Sequence, residues 1–141
     1  MTRVNIRTSQ PAAYKALFGL EAYLATSTLP AYLQELVRLR ASQMNGCTFC
    51  KDMHRECAVT QGVTIKRLAA LENWKSSELF DEKEQAVLSV TEAVTLVASR
   101  GLPDECYQKV AQFLTEEEIA QLIVLIATIN AWNRIGVATK S

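Results

Sequence analysis

The 141-residue chain is poor in glycine (five) and proline (three), too few turn residues for a strand-rich sandwich or barrel. Nor is there a low-complexity stretch that would read as a linker. It has no excess of either charge: fifteen Lys and Arg balance fifteen Asp and Glu, with no run of five like charges. The basic footprint of a nucleic-acid binder is therefore missing, and no nucleic-acid partner is expected. Histidine occurs once, as His54. The first ten residues lack the apolar core of a signal peptide, so the expected location is the cytoplasm. The most apolar stretch, Ile119 to Ile129, has eleven residues with Gln121 inside. That is too short to span a bilayer, and a buried core helix with no membrane contact is expected.

What is present is apolar: 49 % of residues, against 21 % charged, enough for a packed core. Apolar residues recur at three- and four-residue spacing, which predicts helices. The first should run from about Gln10 to Thr26, with Tyr14, Leu17, Phe18, Leu20, Tyr23 and Leu24 on its buried face. The second, opened by Pro30 at its first position and closed at Asn45-Gly46, should bury Leu33, Leu36, Val37 and Leu39. The third should start near Cys47 and stop at Gly62, after which Thr64 caps a short piece from Ile65 to Leu71. Asp81 and Glu84 have the form of a capping box, opening a helix through Ala86, Val87, Val90, Val94 and Val97 to Gly101. Pro103 opens another to about Leu114, and a second box, Thr115 and Glu118, heads a last helix to about Ile135. No composition break divides the chain. Residues 1–141 are expected to form one all-α domain, a bundle of about six to seven helices. An apolar helix face left over by such a bundle would be hidden in a symmetric contact, so a homo-oligomer is expected.

Chemistry concentrates in eight residues: Cys47, Thr48, Phe49, Cys50, Lys51, Asp52, Met53, His54. The turn at Asn45-Gly46 feeds straight into a helix, so Cys47 should sit at its N-terminus and Cys50 one turn in. Unpaired N–H groups and the helix dipole favour a thiolate there. Residues three or four apart share a helix face. Cys47 and Cys50 can therefore close a disulfide, and Cys50 and His54 can exchange a proton directly or through one water. One sulfur can attack and the other resolve. Glu35 stands beside the apolar stripe of the second helix. Packed antiparallel on the third, it would face the cysteines and relay protons; a surface glutamate is an equal alternative. Asp52 and Glu56 should point to solvent.

Other readings of these residues are open. Cys57 and Cys106 are expected to be small buried hydrophobes. Cys47, Cys50, His54 and Cys57 have a zinc-like composition. On one continuous helix, however, Cys47 and Cys57 would be about 15 Å apart at ~1.5 Å per residue, beyond any single tetrahedral ion. Two of these residues could hold zinc only with help from another segment. Haem attachment would need histidine where Lys51 stands, and a thioredoxin fold would need strands. No cofactor or metal is therefore expected. Asn130, Trp132, Asn133 and Arg134 are expected to form a C-terminal cap and subunit contact, with a substrate-pocket role as the lesser alternative.

Glu35 followed by the Cys47/Cys50/His54 spacing resembles the signature of the alkylhydroperoxidase D-like proteins of the carboxymuconolactone decarboxylase superfamily. The segments Leu36 to Gly46, Glu92 to Thr95 and Ile129 to Arg134, with Gly62 and Trp74, are similar to the peroxidase-related branch. The resemblance implies an all-helical trimer or hexamer and a thiol peroxidase reducing hydroperoxides. It implies Cys50 as the peroxidatic thiol, Cys47 as resolving thiol and proton donor, and Glu35 and His54 as the relay that ionises Cys50. It further implies reduction by an external dithiol, a lipoyl-bearing protein in well-known members. Phe49 departs from members that carry a second histidine there, and the cysteine pair disfavours decarboxylase activity. The rival functions are a redox-sensing or disulfide-exchange module without sustained turnover, and a zinc-binding or purely structural oligomer.

Overall fold

The computed structural model describes residues 1–141, which fold as nine helices and no strands in a single domain. In chain order these are α1 (Ile6–Ser9), α2 (Pro11–Leu24), α3 (Ala31–Asn45), α4 (Thr48–Thr60) and α5 (Ile65–Ala70). After a 3-10 segment, Leu71–Ser76, come α6 (Glu82–Thr95), α7 (Val97–Arg100), α8 (Asp104–Val110) and α9 (Glu116–Thr139). The all-helical expectation holds, with more and shorter pieces than six or seven.

The start signals act as their chemistry requires. Both capping boxes form: Asp81 with Glu84, and Thr115 with Glu118, each side chain taking the other's backbone N–H. Thr64 caps α5 through the Arg67 N–H. Pro30 is the residue before α3 rather than its first position. Gly46 ends α3 in the left-handed region at φ 67°, a conformation that suits glycine.

One short helix was not foreseen, and one expected helix is broken. α1 precedes the helix expected from Gln10, whose place α2 takes almost whole, and Pro11, which has no N–H to satisfy, stands at the first position of α2. The helix expected to reach Gly101 stops at Thr95 because Leu96 leaves the helical region (φ −98°, ψ 37°). Leu96 and Val97 are each 58 % exposed, so Val97 does not extend the buried stripe.

The core is built on α3 and α9. Leu33, Leu36, Val37 and Leu39 of α3 are buried as expected, against Val87, Leu88 and Val90 of α6 and Leu122, Leu125 and Ile126 of α9. Each such side chain contributes about 1.5–3 kcal/mol by leaving water. α9 has 24 residues, well beyond the eleven-residue apolar stretch, and is long and apolar enough by length and composition to cross a membrane. Here it packs on α2, α3, α4 and α6, which explains its apolar character on more than one side. α2 departs furthest from expectation. Only Leu24 is buried, while Phe18, Leu20 and Tyr23 are 53 %, 40 % and 46 % exposed. Tyr14 and Phe18 meet Trp132 of α9, but much of the apolar face of α2 is open to solvent.

Candidate active site

The turn between α3 and α4 sets the cysteines. After Gly46 the backbone of Cys47 is extended (φ −85°, ψ 97°), making Cys47 the N-cap of α4. Its Sγ accepts the Cys50 N–H at 3.4 Å, so sulfur takes the role usually played by an oxygen. Cys50 is the third residue of the helix, and the two sulfurs are joined in a disulfide across a Cα separation of 5.3 Å. Both are almost fully buried, at 2 % and 5 % exposure. They face different spaces. Cys50 lines a cavity of about 430 Å³ that also holds Glu35 and His54. Cys47 borders a smaller cleft with Gly46, Val137 and Lys140.

Glu35 reaches the site from α3, as the antiparallel packing of α3 on α4 requires. Its Oε2 lies 2.9 Å from Nδ1 of His54, and both side chains are 12 % exposed. The surface-glutamate alternative is thereby excluded. No direct hydrogen bond joins His54 to Cys50; the two meet through the cavity they share. Asp52 and Glu56 are exposed, as expected.

Arg38 and Glu21 complete the polar wall and were not foreseen. Arg38 donates from Nη1 to Glu35 Oε1 at 2.9 Å and from Nη2 to Glu21 Oε2 at 3.1 Å. Trp132 Nε1 donates to Glu21 Oε1 at 3.1 Å. A continuous chain therefore runs Trp132, Glu21, Arg38, Glu35, His54. It fixes the Glu35 carboxylate by one oxygen and leaves the other for the imidazole. Arg38 stands three residues after Glu35, the spacing of a helix ion pair, and that was the available signal. Glu21 carried none.

The segment from Asn130 to Arg134 is not a terminal cap, because α9 continues to Thr139. Asn133 is fully buried, donating to Ser42 Oγ at 3.0 Å and accepting from Asn45 Nδ2 at 3.0 Å. Asn130 donates to Thr95 Oγ1 and accepts from Asn45 Nδ2. These amides tie α9 to the end of α3 just ahead of the cysteines. Trp132 lines the cavity with Tyr14 and Phe18, the three rings at centroid distances of 5.2–5.4 Å. Two helices thus give the cavity an aromatic wall, joined to the polar chain through the Trp132–Glu21 hydrogen bond.

Gly136 backs the disulfide. A Cβ built there would stand 2.8 Å from Cys47 Sγ and 3.6 Å from Cys50 Sγ. The absence of a side chain lets the α9 backbone close on both sulfurs. Cys57 lies one turn beyond His54 and its thiol is within 4.8 Å of the Glu35 and His54 donor atoms. Burial pushes the Cys57 thiol up, and the Glu35 charge pushes it further. Cys106 is also pushed up, first by burial and then by Glu105, and packs against the core as a small hydrophobe.

The sequence pattern of the carboxymuconolactone decarboxylase family matches residues 11–93. The uncharacterized protein YdfG of Bacillus subtilis is 37 % identical over 136 residues, covering 96 % of this chain and 92 % of its own. YnjA of Escherichia coli, likewise uncharacterized, is 27 % identical over 112 residues, covering 79 % of this chain and 61 % of its own. Among solved structures, a protein of unknown function from Agrobacterium tumefaciens, suggested to be the antioxidant defence protein AhpD, superposes with a TM-score of 0.96. It is 37 % identical and covers 100 % of this chain and 97 % of that one. The apo debrominase Bmp8 superposes at 0.84 with 24 % identity, covering 95 % of this chain and 72 % of that one, a likeness of fold alone.

Proposed function

The chain belongs to the carboxymuconolactone decarboxylase family, in its alkylhydroperoxidase D-like branch, and on that premise we propose that it is a thiol peroxidase reducing organic hydroperoxides. The observation that carries the reading is the Cys47–Cys50 disulfide at a helix N-terminus, with Cys50 opening into the cavity that holds the Glu35–His54 pair. The antioxidant role suggested for the Agrobacterium protein points the same way.

In the reduced enzyme, His54, oriented by Glu35, takes the Cys50 proton through a bridging water. The Cys50 thiolate attacks the distal oxygen of ROOH. The O–O bond breaks, the alkoxide leaves as ROH with the proton returned by the relay, and Cys50 becomes a sulfenic acid. Cys47, favoured as a thiolate by the N–H it accepts, attacks the Cys50 sulfur. A disulfide forms and water leaves. An external dithiol then returns the pair to the reduced form. In sum, ROOH and two thiols give ROH, water and a disulfide. The exposed apolar face of α2 at the cavity mouth supports a homo-oligomeric assembly in which a second copy covers it.

The test is peroxide consumption by purified protein with a dithiol reductant, corrected for the uncatalysed reaction. Sustained turnover that disappears in Cys50→Ser supports the reading. Full turnover in that variant refutes it. A single stoichiometric oxidation without turnover replaces it with a redox-sensing module.

A further inference from the structure

We infer that Glu35, His54 and Cys57 form a binding site for a zinc-class cation. The site takes its three donors from two helices, α3 for Glu35 and α4 for His54 and Cys57. One oxygen, one nitrogen and one sulfur all lie within 4.8 Å of one another. Cys57 follows His54 by three residues, so its thiol emerges on the same helix face. A zinc ion with bonds of about 2.0–2.3 Å needs its donors roughly 3–4 Å apart. Small side-chain rotations bring them there.

The surroundings prepare Glu35 for this task. Arg38 holds Oε1 at 2.9 Å, leaving Oε2 as the free donor directed at His54. A ligand carboxylate steadied through its second oxygen is the usual outer-shell arrangement. The mixed oxygen, nitrogen and sulfur set selects a borderline-soft ion such as zinc over magnesium or calcium. Three protein ligands leave a fourth position for water, on the side where Glu35 and His54 line the cavity.

Binding balances simply. The Cys57 thiol loses its proton to solvent and its sulfur bonds the metal. The imidazole N–H moves to Nε2 while Nδ1 takes the metal. Because the thiol gives up its proton to the solvent on binding, the affinity weakens as pH falls. Occupancy would also remove Glu35 and His54 from proton transfer. That consequence rests on the peroxidase reading; the site itself does not.

The experiment uses the full-length protein in its Cys47–Cys50 disulfide form, so that this pair offers no thiolate, with Cys106→Ser to remove the other free thiol. Zinc chloride is titrated calorimetrically, and cobalt(II) is added separately to look for a thiolate-to-metal absorption band. Modification of His54 by diethylpyrocarbonate is followed with and without zinc; as the sole histidine it reports on this site alone. The expected results are one zinc per chain with release of protons, a cobalt–thiolate band, and protection of His54. In Cys57→Ser the band disappears, zinc affinity falls at least tenfold, and protection is lost. No zinc uptake by the oxidised protein, or uptake unchanged in Cys57→Ser, overturns the inference. Neither result involves peroxide, so failure here is distinct from failure of the peroxidase reading.

Discussion

Replacing Gly136 by alanine should make the disulfide a stronger oxidant without unfolding the protein. The added methyl would stand 2.8 Å from Cys47 Sγ, well inside ordinary contact. In the disulfide that sulfur is held by its bond to Cys50. As a free thiol it can rotate toward the cleft it borders. The clash therefore falls mainly on the oxidised form. Overpacking a tight site costs about 1–3 kcal/mol. For a two-electron couple, ~1.4 kcal/mol corresponds to ~30 mV, so the reduction potential should rise by roughly 20–65 mV. Alanine is also the better helix former, by about 0.5–1 kcal/mol, but this acts on both redox states and cancels in the potential. The assay equilibrates wild type, Gly136→Ala and a control, Gly19→Ala, in dithiol redox buffers and counts free thiols by alkylation. Gly19 has nothing within 4 Å of its added Cβ, so its potential should not move. A Gly136→Ala potential equal to wild type, or lower, would refute the reasoning.

Glu35→Gln and His54→Ala should each lower peroxide turnover by about 10²-fold or more, the scale of lost acid–base assistance. The double variant should lose little beyond either alone if the two act as one unit; steady-state kinetics with tert-butyl hydroperoxide measures both. Trp132→Ala removes one ring of the aromatic wall and the hydrogen bond to Glu21. It should raise KM for a bulky aromatic hydroperoxide by about tenfold and leave hydrogen peroxide turnover much less changed. Glu92 gives a pH dependence. Burial raises its carboxyl pKa, but hydrogen bonds from Trp74 and Arg40 and the nearby cations outweigh this and hold it below the ordinary value. A lowered folded pKa means stability that is present above the unfolded carboxylate pKa and is lost as pH falls through the folded one. Glu92→Gln should cost about 1–3 kcal/mol at neutral pH and flatten that acid decline, as read by urea unfolding between pH 7 and 3.

The cysteine pair, the histidine and the glutamate were legible because their chemistry is local. A glycine turn followed by Cys47, Cys50 and His54 at one-turn spacing fixes a helix N-terminus and a shared face, whatever the rest of the chain does. Glu35 needed one tertiary assumption, that α3 packs antiparallel on α4, and the buried Leu36 and Val37 supplied it. Arg38 and Glu21 were less visible, since an ion-pair chain across α2 and α3 leaves no period in the sequence. Gly136 was silent for a related reason. Nothing marks a helical glycine as the point where a backbone meets two sulfurs from elsewhere. The α2 residues misled because apolar periodicity reports that a face wants cover and does not say what covers it. Tyr14 and Phe18 were read as core, yet they wall a cavity, and Leu20 and Tyr23 remain open. The same ambiguity hid the length of α9, whose polar Asn130 and Asn133 looked like a helix end and are instead buried amides holding α3 and α9 in register.

The central claim is that Cys50 meets the peroxide and Cys47 resolves it. It is tested most directly by peptide-mapping mass spectrometry of reduced protein given one equivalent of hydroperoxide and quenched with an alkylating agent. The account predicts wild-type protein lighter by two hydrogens, in a linked Cys47–Cys50 peptide. It predicts Cys47→Ser with one added oxygen on Cys50, and Cys50→Ser with no prompt oxidation at Cys47. Oxygen accumulating on Cys47 in Cys50→Ser as fast as on Cys50 in Cys47→Ser would contradict it.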